Sequence, residues 1–140
     1  MEANELMLED WVYAKVQVDD TGTEPVYETI PKRVSELSRG INGIYTEDTS
    51  TFAGAEILPI PLTPEILEMN YGKEMRVGIS DKPCWGEMGA IWSTMLWKGE
   101  NSFWLEVSNI AGGFVKKHIR YVHELQHALR LAGIKKEIVL

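Results

Sequence analysis

The sequence predicts an α+β fold: a small N-terminal antiparallel sheet of SH3-like, barrel-like character, a short central helix, a β-hairpin and a C-terminal amphipathic helix. Three observations carry this. Residues Trp11 to Val18 alternate apolar and polar, the period of a strand with one buried face. Pro59, Pro61 and Thr63-Pro64-Glu65 form an extended approach to a helix start. Val122, Leu125, Leu129 and Ala132 recur at three- and four-residue steps, which marks an amphipathic helix.

In the first strand Val12, Ala14, Val16 and Val18 share a face, with Trp11, Tyr13, Lys15 and Gln17 opposite. Asp19 to Thr23 is turn chemistry, because Asp bonds its own backbone and Gly accepts positive φ. Val26 to Ile30 reads as a second strand, limited by Pro31. Val34 to Leu37 and Ile41 to Tyr45 are short, Gly-punctuated strands, and Thr46 to Ala55 is a polar loop. Many short strands with frequent turns are what suggest a small barrel.

The central helix starts at Pro64 behind the cap Thr63 and stops at Gly72, with Ile66, Leu67 and Met69 as its apolar surface. Met75 to Ile79 reads as a strand. A hairpin turning at Gly99-Glu100 opposes Leu96 to Phe103, Thr94 to Leu105 and Trp92 to Val107 on its core face. Its other face pairs Met95 with Trp104, Ser93 with Glu106 and Ile91 with Ser108. The last helix is expected from about Ile119 to Ala132, closed by Gly133, with a terminal strand at Ile138-Val139-Leu140. These readings divide the chain into a β-rich lobe at 1–58 and an α+β lobe at 59–140, within one compact domain.

The 140 residues, 44% hydrophobic and 25% charged, are enough for a folded core without metal or disulfide. One Cys forbids an internal disulfide and suits a reducing compartment. The acidic N-terminus lacks the pattern of a signal peptide, and no stretch approaches 18 apolar residues. The expectation is a cytoplasmic protein with no membrane partner, no membrane span and no cofactor. The net charge of −7 opposes general coating of nucleic acid. It is uneven, however: 113–140 hold six Lys and Arg against two Glu, and 1–112 hold eight against 19 Asp and Glu.

Two motifs fall on the last helix. His123-Glu124-Leu125-Gln126-His127 matches H-E-x-x-H, in which histidines one turn apart bind zinc and the Glu activates water. No third ligand follows at a known spacing, since Arg130 and Gly133 stand where the extended pattern needs Gly and His. The same helix, if extended back to Lys116, lines up Lys116, Arg120, His123, His127 and Arg130 on one exposed face. Such a stripe faces nucleic acid, an acidic partner or another copy, and its histidines would charge as pH falls. Trp97 and Trp104 on the mixed hairpin face are the other candidate contacts. Cys84 reads as packing, and Gly112-Gly113 as a loop ahead of the helix.

Ile57-Leu58-Pro59-Ile60-Pro61-Leu62-Thr63-Pro64-Glu65-Ile66-Leu67 and Ile119-Arg120-Tyr121-Val122-His123-Glu124-Leu125-Gln126-His127-Ala128-Leu129, with Asn4-Glu5-Leu6, together resemble a family of small proteins of gut-type anaerobic bacteria and their phages or mobile elements. The resemblance runs along most of the chain. It implies an intracellular bacterial or phage protein and no activity. The expected function is therefore a non-catalytic accessory module contacting protein, nucleic acid or itself, through the basic helix face or the aromatic hairpin face. The alternative is a metal-dependent hydrolase using His123, Glu124 and His127.

Overall fold

The computed structural model describes residues 5–19, 22, 24, 26–38, 43–46, 57–78 and 81–140. The chain divides into two compact units, Met1–Ile60 and Pro61–Leu140. Each holds one four-stranded antiparallel sheet, and the second also holds two short helices, so the class is α+β.

In the first unit the strands are β1 (Trp11–Asp19), β2 (Val26–Ser38), β3 (Gly43–Thr46) and β4 (Ile57–Pro59), in the order β3-β2-β1-β4. The outer members β3 and β4 do not pair with each other, so the sheet is open and not a closed barrel. The alternation in β1 places Val12 and Ala14 in a core with Leu6, Val34, Ile44 and Ile57, against which Leu37 packs. Contrary to expectation, Pro31 does not end the second strand. The Val34 amide donates to the Asp10 carbonyl at 2.9 Å. Strand alternation then turns the Pro31 nitrogen away from β1, and β3 pairs only from Val34 onward. The missing N–H therefore costs no ladder bond. Most of the turn expected at Asp19 to Thr23, and the loop from 47 onward, lie outside the described residues.

The second unit begins as its local signals dictate. Helix α1 spans Pro64–Tyr71, with the Thr63 hydroxyl accepting the Ile66 amide at 3.4 Å and Gly72 capping at φ +83°. It buries Leu67, whereas Met69, expected on the apolar side, is exposed. No strand forms from Met75 to Gly78. Met75 makes one bridge to Cys84, Val77 is exposed, and Gly78 turns the chain at φ +71°.

The second sheet runs β5 (Cys84–Met88), β6 (Trp92–Lys98), β7 (Phe103–Asn109) and β8 (Phe114–Ile119), in that spatial order. The hairpin register is shifted from the expected one. Leu96 opposes Leu105 and Thr94 opposes Val107, because the turn holds Glu100 and Asn101, with the Gly99 amide on the Ser102 carbonyl at 2.8 Å. Moving the turn by one residue changes the pairing by two. Side chains alternate with period two, so the expected faces survive. Thr94, Leu96, Phe103, Leu105 and Val107 are buried. Trp85 meets Phe103 edge-on at 5.8 Å and is among the largest fully buried side chains. Gly86 is required where it stands: a Cβ would fall on the Thr94 carbonyl and within 2.6 Å of the Met95 sulfur.

Helix α2 spans Val122–Leu131, shorter at its start than the expected Ile119. Its end follows the sequence signal. Gly133, at φ +73°, donates to the Arg130 carbonyl at 3.0 Å, and Ile134 donates to Leu129 at 2.9 Å. Those two bonds are a Schellman motif. The helix buries Val122, Leu125, Ala128 and Leu129, each large apolar side chain contributing roughly 1.5–3 kcal/mol. The last residues are not a strand. The Asn70 amide group holds Val139 by both backbone atoms at 2.8 Å, a side chain standing in for a neighbouring strand, and Ile138 is fully buried.

Candidate functional site

The segment expected to begin the last helix is strand β8, and this changes the candidate surface. β8 pairs with β7, Trp104 opposite His118, Glu106 opposite Lys116 and Ser108 opposite Phe114. Its Phe, Val and Ile suit a pleated surface, and β7 supplies the ladder.

Period-two alternation then builds the face opposite the core from cross-strand rows. Trp97 opposes Trp104, which opposes His118. The next row is Met95, Glu106 and Lys116, and the next Ser93, Ser108 and Phe114. Trp97 and Trp104 are half-buried, while His118, Lys116 and Phe114 are exposed. The His118 ring meets Trp104 edge-on at 4.1 Å, and its Nδ1 lies 3.2 Å from the Ser102 hydroxyl. Lys116 bonds Glu106 at 2.8 Å and lies over the Phe114 ring at 4.9 Å. Beside Ser102 is a hollow of about 200 Å³ reaching Lys98, Thr63 and Pro64 at the start of α1. Glu65 there has its carboxyl held below the usual range by its own backbone amide and the Thr63 hydroxyl.

The five-residue basic helix stripe does not exist. Lys116 lies on β8, Arg120 precedes the helix, and only His123, His127 and Arg130 are helical. His123 is buried and stacks on Tyr121 at 5.8 Å, His127 is half-buried, and Arg130 is exposed. The helix cannot extend back through Tyr121, which is the N-cap, in extended conformation at φ −125°. The start signal was half-hidden, because Tyr is not a usual cap although Glu124 stands at the capping-box position.

That box occupies the glutamate of the H-E-x-x-H match. Glu124 Oε2 accepts the Arg120 amide at 2.7 Å and the Tyr121 amide at 3.3 Å. The His123 and His127 rings are 5.7 Å apart, edge to face. Among the described residues no group of three His, Cys, Asp or Glu is placed to hold a metal. Cys84 is buried at the start of β5 with its thiol on the Met75 carbonyl at 3.2 Å, and burial pushes the thiol pKa up. Gly112-Gly113 turns β7 into β8 and does not precede a helix.

Sequence reasoning missed His118 and Phe114 as members of the aromatic face. The signal was present: Asn109 to Gly113 is a Gly-containing turn between two runs of β-formers, which reads as a hairpin. No protein-family model, curated protein or solved structure matches this chain. Among the described residues no helix is long and apolar enough to cross a membrane.

Proposed function

We propose that the chain is a non-catalytic cytoplasmic binding module whose contact surface is the outer face of β6, β7 and β8, and that it binds single-stranded nucleic acid. The observation that carries this is the row Trp97, Trp104 and His118 with Lys116 in the adjacent row. The sequence suggested two separate surfaces, one aromatic and one basic. Because 114–119 is a strand, their members Trp104 and Lys116 lie on one face. Rings that stack on bases beside cations that meet phosphates are the usual means of holding a single strand. The acidic excess of the chain lies outside this unit. Residues 61–140 carry ten Lys and Arg against nine Asp and Glu, whereas 1–60 carry four against twelve. The non-catalytic reading is supported by Glu124, whose Oε2 serves the helix cap and not a water.

The test is a titration of labelled single-stranded DNA and RNA of about twenty nucleotides, followed by anisotropy and by quenching of tryptophan emission. Binding is expected at low salt and is expected to weaken as salt rises. Trp104→Ala should weaken it by about 5- to 150-fold, the equivalent of the roughly 1–3 kcal/mol of one stacked base. No binding to either strand at low salt overturns the proposal.

A further inference from the structure

The opposite end of the second sheet has a different chemistry. The β5–β6 turn and the β7–β8 turn lie side by side there, joined by the Ile110 amide on the Ile91 carbonyl at 3.2 Å. Met88 is 86% exposed, Ile110 81% and Ile91 57%, and Phe114, at the start of β8, is also exposed. Beside it runs a groove of about 450 Å³ that Met88, Ile91, Trp92 and Ile134 line, with Lys135 at its rim. We propose that this tip seats in the interfacial region of an anionic lipid bilayer, as a peripheral contact and not a span.

Two observations beyond the exposure itself support this occupant. The first is that both turns bond part of their own backbone internally. Asn109 accepts the Gly112 amide on its carbonyl at 3.1 Å and the Gly113 amide on Oδ1 at 2.7 Å, and it donates to the Gly113 carbonyl at 3.0 Å. Gly89 donates to Trp92 at 2.7 Å. Each unsatisfied amide would be costly in a water-poor layer, so turns closed on themselves are suited to enter one. Gly112, at φ +86°, is the residue that lets the chain close this way.

The second is charge. Residues 88–99 and 107–123 contain no Asp or Glu, while Lys116 and Lys117 follow Phe114 directly and Lys135 borders the groove. Glu87, which also lines the groove, bonds Lys136 at 2.9 Å and Glu106 bonds Lys116 at 2.8 Å, so the positive excess at this end rests on Lys117 and Lys135. A second copy docking tip to tip would set these lysines against each other, whereas lipid phosphates and carboxylates complement them. A nucleic acid strand complements the lysines but has no counterpart for three aliphatic side chains. The expected association is weak and reversible, of the order of the ~10⁴ M⁻¹ that one myristoyl chain provides.

The test is sedimentation of the full chain with vesicles of phosphatidylcholine alone and of phosphatidylcholine with about one-third phosphatidylserine. Binding is expected to the mixed vesicles only, and to weaken as salt rises. Ile110→Asp, at an exposed turn position, should reduce it at least about tenfold with the melting temperature unchanged. Trp104→Ala should leave it intact, which separates this surface from the proposed strand-binding face. Equal binding to both vesicles, no binding at low salt, or full binding by Ile110→Asp each overturn the proposal. So does a concentration-dependent dimer that Ile110→Asp abolishes, because a second copy would then cover the tip.

Discussion

The two units solve the same problem with different means. Each has four antiparallel strands in an open sheet. Among the described residues the first packs small and branched side chains, Val12, Ala14, Val34, Ile44 and Ile57 with Leu6. The second buries Trp85, Phe103, Leu96, Leu105 and Ile119 and adds Leu67, Leu125 and Leu129 from its helices. A larger apolar payload gives more stabilisation per residue fixed. The second sheet also presents exposed aliphatic residues at one end and half-buried tryptophans near the other. Charge divides the same way, a net −8 for residues 1–60 and +1 for 61–140. The total of −7 therefore describes no single surface.

The largest expected effect tests that contrast of cores. Trp85→Ala should cost about 3–5 kcal/mol in urea unfolding. Val12→Ala should cost about 1–2 kcal/mol, for the methyl groups it removes. If Val12→Ala costs more, the first unit is not the lesser core.

Gly86→Ala comes next, at about 1–3 kcal/mol, because the added methyl falls on the Thr94 carbonyl and the Met95 sulfur. A melting temperature equal to wild type would mean that β5 and β6 separate easily at Gly86, and would weaken the contrast between the two cores.

Glu124→Ala should cost about 0.5–2 kcal/mol of stability through loss of the helix cap. Metal content measured before and after the change sharpens the point. A bound stoichiometric metal lost with this change at unaltered stability would make Glu124 part of a metal site and not of a cap.

The smallest effect is in alkali and confined to the second unit. Burial raises the Cys84 thiol above its ordinary 9.0 and the Tyr71 phenol above its ordinary 10.0, the latter also through Glu87. The folded chain therefore holds these protons longer than the unfolded chain. Their contribution is complete below the unfolded values and is lost as pH rises beyond them, with a slope of at most about 1.4 kcal/mol per pH unit for each group. Urea midpoints should fall as pH rises from about 9 through about 11, with Tyr71 contributing above about pH 10. Tyr71→Phe should flatten the fall, and an unchanged slope would place the loss elsewhere.

Much of the fold was legible because some signals are local. Thr63, Pro64 and Gly72 state the backbone conformations that start and stop α1, and Gly133 states the one that ends α2. Alternation in β1 named Val12 and Ala14 as core, and alternation in the hairpin named the buried face even with the turn misplaced by one residue. The candidate site was less legible. Trp97 and Trp104 were visible on a mixed face, but His118 reaches that face only through the pairing of β8 with β7. Helical spacing in Lys116, Arg120 and His123 was coincidental, since nothing in those residues alone tells a strand from a helix.

The sequence by itself determined what each residue's own backbone and neighbours require: caps, turns, the one-sided strands and the sign of charge in each half. The tertiary structure alone decided what depends on a partner distant along the chain. It made Phe114–Ile119 a strand by pairing it with β7, and it closed the C-terminal segment through Asn70 on Val139 where no strand forms. It also gave Glu124 to the amides of Arg120 and Tyr121. Local conformational preferences amount to about 1 kcal/mol or less per residue. A ladder partner or a buried neighbour outweighs them, and a one-dimensional pattern does not name that partner.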